Sequence, residues 1–270
     1  MMPKSTLGLI AGNGKFPFLF AREARSRGYR VVAAAIRQDT SPALQFSVDK
    51  LSWFSAGELK KLFAFFVSEG VHEVIMAGQV NPDNLFKGNV AFDEEFRGLF
   101  NALRDRKADT IFSAIADKLQ ARGIRLLDST FLLKGYLAPK GTLTKRGPTS
   151  RELDDIEFGT VIARDMGRLD VGQTVVVKEK AIVAIEAMEG TDRAILRGGR
   201  IAREGAVVVK MSKPGQDPRF DVPVIGPRTI RTMMRAKAGC IGIEVGKTIL
   251  IDRDQCVRLA NQAGICIVAA

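Results

Sequence analysis

Histidine is nearly absent from this chain: His72 stands alone among 270 residues. A dinuclear metallophosphoesterase centre needs several histidines as metal ligands, so that class is excluded. His72 itself precedes an apolar run and reads as a surface or turn residue rather than a base. Tryptophan occurs once and tyrosine twice. Base-stacking platforms need aromatics placed on strands, and no zinc finger, helix-turn-helix or RNA-binding aromatic motif is present. Nucleic acid is therefore not an expected partner. The three cysteines, Cys240, Cys256 and Cys266, have neither paired spacing nor a Cys-x-x-Cys motif. They read as small buried apolar residues in a reducing cytoplasm. No apolar run approaches the roughly 20 residues that span a bilayer. Met1 to Ile10 lacks the apolar core of a signal peptide, so none is expected.

What remains is a chain that is 46% hydrophobic, enough for a substantial core, with room for one large or two ordinary domains. Its net charge is +11. That excess is spread along the chain and draws anions: phosphorylated substrates or anionic headgroups.

The first half reads as alternating strands and helices. Thr6 to Ala11 is a short buried strand, followed by Gly12-Asn-Gly-Lys-Phe-Pro17 and a helix over Phe18 to Ser26. Strand, glycine turn and helix form the layout that sets phosphate on a helix N-terminus. The third glycine of the dinucleotide fingerprint is missing, which disfavours a nicotinamide cofactor. The turn is either a nucleotide contact through Gly12, Asn13 and Gly14 or a plain tight connection. A second apolar run covers Tyr29 to Ile36. Gly57 to Glu69 has a helical stripe of Leu59, Leu62, Phe63, Phe66 and Val67, for the core or for a membrane surface. Glu73 to Ala77 is a strand ending at Gly78. In an open α/β sheet ligands sit off the carboxyl ends of strands, which makes Gln79 and Asn81 candidate contacts; otherwise they belong to a turn fixed by Pro82. Helices are expected over Asp93 to Arg106 and Asp109 to Arg122, with Asp109 as N-cap, then a strand over Ile124 to Leu127.

The stretch 138–150 is rich in Pro, Gly, Lys and Thr and marks the best domain boundary. The expected division is a Rossmann-like α/β domain over 1–137, a linker over 138–150, and a mixed α/β domain over 151–270. The second domain opens with a helix near Arg151 to Asp165, stopped by Gly167. A hairpin of Thr174 to Val177 and Ala181 to Ile185 leads to Glu186, Glu189 and Asp192. Thr191 or Asp192 could cap a short helix over Arg193 to Arg197; alternatively Asp192 offers its carboxylate to phosphate or metal. Arg197-Gly-Gly-Arg200 reads as a basic turn.

Lys210 to Gly226 is the stretch most crowded with chemistry. Pro214, Pro218 and Pro223 deny it helix and central strand alike. In an extended chain Asp217, Arg219 and Asp221 would share one side. Two carboxylates flanking a guanidinium suit a metal-bridged or arginine-clamped phosphate. The plainer reading is a stiff solvated loop. Beyond it come a helix starting with Pro227, three short strands and a final helix ending at Gln262.

This run, with Glu186-Ala-Met-Glu-Gly-Thr-Asp192 and Leu7-Gly-Leu-Ile-Ala-Gly-Asn-Gly-Lys-Phe-Pro17, resembles the LpxI family, UDP-2,3-diacylglucosamine pyrophosphatases of lipid A synthesis. The two C-terminal motifs are the specific ones. The resemblance implies hydrolysis of UDP-2,3-diacylglucosamine to UMP and 2,3-diacylglucosamine 1-phosphate, with Mg²⁺. It implies Asp221 and Asp192 as metal or water ligands, with Glu189 beside them. Arg219 and Lys213 would neutralise the diphosphate, and Gln216 and Thr191 would donate to phosphate oxygens. Gln79 would add a substrate contact. A lipid substrate further implies a cytoplasmic protein peripheral to the inner membrane, with a homo-oligomer also open. The competing readings are another nucleotide-sugar enzyme, a transferase or oxidoreductase, and a basic protein that binds membrane or nucleic acid without catalysis.

Overall fold

The computed structural model describes residues 5–80, 92–105 and 107–270. They divide into two compact units. One runs to Lys134 and takes in Asp217–Asp221; the other comprises Gly135–Gln216 and Val222–Ala270.

The first unit is built on β1 (Thr6–Ala11), α1 (Phe16–Ser26), β2 (Arg30–Ile36), β3 (Lys50–Phe54), α2 (Leu59–Ser68), β4 (Glu73–Ala77), α3 (Glu94–Ala102), α4 (Ala108–Gln120) and β5 (Arg125–Leu126). The strands form one sheet in the order β3-β2-β1-β4-β5, every pairing parallel. This is the 3-2-1-4-5 progression of a doubly wound sheet. Parallel sheets need cover on both faces, which explains the near-continuous apolar runs of β1 and β2. The α2 stripe turns inward: Leu59, Leu62, Phe63 and Phe66 are all buried, while Val67 is exposed. His72 is exposed, as its position in the sequence suggests.

Several boundaries differ from the sequence reading. Strand β3 was not foreseen; its edge position leaves its middle half-exposed, so its pattern is mixed. Helix α1 begins two residues early, because proline fits the first turn of a helix. Asp93 caps α3, its carboxylate accepting from Phe96 N at 2.9 Å, and the helix ends at Ala102. Asp109 does not cap α4; Lys107 stands at the cap, and Asp109 lies in the first turn, where a carboxylate suits the helix dipole.

The second unit contains β6 (Gly141–Thr142), α5 (Ser150–Arg168), β7 (Thr174–Lys178), β8 (Ala181–Ile185), α6 (Thr191–Ala202), β9 (Val207–Lys210), β10 (Val224–Ile225), α7 (Pro227–Arg235), β11 (Cys240–Ile243), β12 (Ile249–Leu250), α8 (Arg253–Gln262) and β13 (Cys266–Ala269). Its main sheet is mixed, in the order β6-β13-β11-β9-β7-β8, with β9, β11 and β13 parallel. Alternation along the strands sorts two cores. Val208, Ile241 and Ile267 pack with Ile195, Ile230 and Met233 of α6 and α7. Val207, Val209, Cys240 and Cys266 pack with Ile156 and Ala163 of α5. All three cysteines are buried and none is in a disulfide.

The stretch 138–150 is built into this unit rather than standing apart from it. Ala138 is buried, and Gly141–Thr142 pairs with β13. Thr149 and Glu152 then form a capping box that starts α5. Gly167 does not stop that helix, which runs to Arg168. A Cβ there would come 3.1 Å from Lys213 Cα, so glycine permits close packing. Arg197-Gly-Gly-Arg200 is no turn either but the middle of α6. A Cβ on Gly198 would lie 2.7 Å from Val176, and one on Gly199 would lie 2.6 Å from the Ala236 carbonyl oxygen. The two glycines let α6 settle against β7 and α7. Among the described residues no helix is long and apolar enough to cross a membrane.

Candidate active site

The candidate site residues fall into two polar groups, one in each unit. In the first, the turn after β1 meets the turn after β4. Gly12 N donates to Ala77 O and Asn13 N to Gln79 O, both at 2.8 Å. A Cβ on Gly12 would stand 2.6 Å from Gln79 O, and Gly78 adopts φ +88 with Asn13 O 2.5 Å from its Cβ position. The glycines are thus required by the contact of two backbones. This alters the expected roles, since the N–H groups of Gly12 and Asn13 are taken by β4 and its turn. Gly14, at φ +92, faces open space, and Asn13 and Gln79 are exposed. Asn81 lies outside the described residues.

Onto the same end of the sheet comes Asp217–Asp221. Ser129 holds it. Its N–H donates to Pro218 O at 2.8 Å, and its hydroxyl lies 2.7 Å from Arg219 O and 2.8 Å from Met76 O, at the end of β4. Phe220 stacks obliquely on Phe112, with ring centroids 5.5 Å apart. The segment is not extended. Phe220 N and Asp221 N both turn back to Asp217 O, at 3.3 and 3.2 Å. Asp217, Arg219 and Asp221 therefore do not line up by alternation. Instead Arg219 folds onto Asp217: Nε lies 2.9 Å from each carboxylate oxygen and Nη2 2.6 Å from Oδ2. The guanidinium beside it holds the Asp217 carboxyl below its ordinary range, and Asp217 in turn raises Arg219. Asp221 is half-buried at the end of this turn. Ser129 was not singled out by sequence; a lone serine carries no signal there.

In the second unit, β8 and α6 frame a buried cluster around Lys210. The Lys210 side chain is 7% exposed; its ammonium donates to Thr174 Oγ1 at 3.1 Å and Thr191 Oγ1 at 2.9 Å and lies 3.6 Å from Glu186 Oε2. The Thr191 hydroxyl donates to Glu186 Oε1 at 2.8 Å. A hydroxyl has one hydrogen, so Thr191 as placed has none left for a phosphate oxygen. Gly190, at φ +81, stands at the cap of α6, and both Thr191 and Asp192 fall in the first turn. Asp192 is engaged on both oxygens: Oδ1 accepts from Thr232 Oγ1 at 3.1 Å, and Oδ2 lies 2.5 Å from Arg228 Nε. Glu189 pairs with Arg197 at 2.6 Å. Burial pushes the Glu189 carboxyl up, but the Arg197 hydrogen bond and backbone donors outweigh it and hold it low. Lys213 pairs with Asp170, and its N–H donates to Gln216 Oε1 at 3.0 Å. Sequence reasoning missed Asp170, Thr174 and Arg228, none of which lies in a motif.

For a divalent cation, the described residues hold no group of three or more His, Cys, Asp or Glu side chains placed to bind one. A Mg²⁺ ion commonly uses only one or two carboxylates and completes its shell with substrate oxygens. Asp221 suits that role by donor type, whereas the Asp192 carboxylate is already engaged by Arg228 and Thr232.

Comparison with known proteins accounts for the whole frame. The LpxI N-terminal domain matches residues 6–136 and the LpxI C-terminal domain matches residues 139–268. The chain belongs to the LpxI family. It is 31% identical to the UDP-2,3-diacylglucosamine pyrophosphatase LpxI of Caulobacter vibrioides, over 97% of this chain and 96% of that protein. Among solved structures, the biotin carboxylase domain of Hydrogenobacter thermophilus 2-oxoglutarate carboxylase aligns at 12% identity with a TM-score of 0.29, covering 75% of this chain and 42% of that one. N5-carboxyaminoimidazole synthetase from Staphylococcus aureus aligns at 13% identity and TM-score 0.25, covering 65% of this chain and 38% of that one. At that level of superposition neither bears on function.

Proposed function

We propose that this LpxI-family chain hydrolyses the diphosphate of UDP-2,3-diacylglucosamine, releasing UMP and 2,3-diacylglucosamine 1-phosphate for lipid A biosynthesis. The observation that carries the reading is the match of both family domains in order, with a relative of that name aligned over 97% of the chain. Water adds to one phosphorus, the bridging P–O bond breaks, and the other phosphate departs with the electron pair. Asp221 is assigned to the attacking water or to the metal. Arg219, oriented by Asp217, presents the rest of its guanidinium fork to phosphate charge. Lys213 is already paired with Asp170. A bound Mg²⁺, held by Asp221 and substrate oxygens, would neutralise the diphosphate and the charge that develops on reaction. Asp192 is better assigned to anchoring α6 through Arg228 and Thr232.

The substrate is a lipid, so the protein works at a membrane surface without spanning it. With net charge +11, attraction to anionic headgroups supplies about 1 kcal/mol per nearby Lys or Arg and is screened by salt. The test is direct. Purified full-length protein is incubated with UDP-2,3-diacylglucosamine and Mg²⁺, with and without excess chelator, and both products are quantified. Equimolar UMP and lipid monophosphate, lost on chelation, is the expected result. Absence of UMP, or its release only with an added sugar acceptor, overturns the reading in favour of a transferase or a non-catalytic binder.

A further inference from the structure

The first unit has a second feature that its proposed chemistry does not use. Among the described residues, strand β3 lies at the end of the sheet and pairs with β2 on one side only. Beside it runs a groove of about 760 Å³, lined by Arg37, Leu51, Ser52, Trp53 and Phe54 on the strand side and by Lys61, Ala64, Phe65 and Ser68 on α2. Those four α2 residues share one helix face, distinct from the buried stripe of Leu59, Leu62, Phe63 and Phe66. Phe54 and Phe65 form part of the floor, ring centroids 5.5 Å apart. At the far end of β3, Arg37 N donates to Phe54 O, which fixes the Arg37 backbone there. Its exposed guanidinium has no side-chain partner among the described residues. Lys61 is paired with Glu58 at 2.6 Å, so the net charge of the rim is set by Arg37.

An unpaired sheet edge presents a row of N–H and C=O groups that another main chain can match. An edge strand facing a helix across an apolar groove is the arrangement in which extended peptides add as a further strand. We propose that the groove between β3 and α2 docks an extended, acidic peptide segment of another protein. The segment pairs with β3 along its backbone, seats alternate apolar side chains on Phe54 and Phe65, which share the α2 face of the sheet, and places a carboxylate at Arg37. A lipid tail has no donors or acceptors for the strand edge.

Trp53 is the only tryptophan in the chain, so intrinsic tryptophan fluorescence reports on strand β3. The full-length protein is titrated with a blocked hexapeptide alternating valine and glutamate. Controls are the same peptide N-methylated on alternate backbone nitrogens, its lysine-for-glutamate counterpart, and phosphatidylglycerol vesicles. A saturable shift in Trp53 emission at sub-millimolar concentration is expected for the acidic peptide alone, with at least about tenfold weaker binding by Arg37→Glu at unchanged melting temperature. No saturable shift with the acidic peptide overturns the proposal. So does equal binding of the N-methylated or lysine peptide, insensitivity to Arg37→Glu, or a response to vesicles or to protein self-association instead.

Discussion

Arg219 closes its guanidinium on Asp217, two residues back along the chain, with Nε 2.9 Å from both carboxylate oxygens and Nη2 2.6 Å from one of them. The pair fixes the turn that delivers Asp221, and it makes that turn sensitive to acid. The folded-state pKa of Asp217 is depressed below its ordinary 3.8. A depressed carboxylate contributes stability that is present above about 3.8 and is lost as pH falls through the folded value. Melting temperatures of wild type and Asp217→Asn should differ by a constant amount at neutral pH and converge below about pH 3.8. A difference that does not change with pH would mean the pair contributes nothing through its charge.

Lys210 and Glu186 form the most buried ion pair of the second unit, with side chains 7% and 13% exposed. Lys210→Met leaves the Glu186 charge buried without its cation and should cost about 3–5 kcal/mol. Lys210→Met combined with Glu186→Met should recover most of that loss, because both charges are then gone. Denaturant unfolding of the single and double variants measures this; additive losses would contradict it.

The hairpin between β7 and β8 turns through Glu179 and Lys180, both at positive φ, and buried Asp155 of α5 accepts both of their N–H groups, at 3.0 and 2.6 Å. Asp155→Ala should destabilise by about 1–3 kcal/mol through the lost acceptor. Replacing Glu179-Lys180 by Asn-Gly, the pair suited to positive φ, should raise the melting temperature. Thermal scans of both variants decide it.

Gly199→Ala tests how α6 packs. In a free helix alanine is favoured over glycine by about 1 kcal/mol. Here its Cβ would stand 2.6 Å from the Ala236 carbonyl, a backbone atom that cannot swing aside. The variant should therefore lose about 1–3 kcal/mol. An increase in stability would show that α7 yields easily.

The alternation of strands and helices in the first unit was legible because parallel strands covered on both faces are uniformly apolar; β1 and β4 occupy their expected residues. Edge strand β3 escaped notice because half-exposed positions mix Lys, Ser and Trp. The middle of α6 misled because Gly198 and Gly199 signal a turn locally, whereas contact with Val176 and Ala236 demands them inside a helix. At the site, the motifs pointed to Asp217, Arg219, Asp221 and Thr191. Their wiring did not follow from spacing. Arg219 pairs within its own turn, and Thr191 spends its hydrogen on Glu186. Ser129 reaches the Asp217–Asp221 turn, and Asp170 reaches Lys213, only through tertiary folding, so no local pattern announces them.

The central claim is that the turn held by Ser129 carries the hydrolysis through Asp221. Asp221 ends a half-buried turn and is not a member of the apolar clusters, so Asp221→Ala should leave the core intact. Turnover of UDP-2,3-diacylglucosamine by wild type and Asp221→Ala is the measurement, with melting curves recorded on the same samples. The account predicts a fall in kcat of at least about a hundredfold, with KM little changed and the melting temperature preserved. Near-normal turnover by a folded Asp221→Ala protein would contradict it.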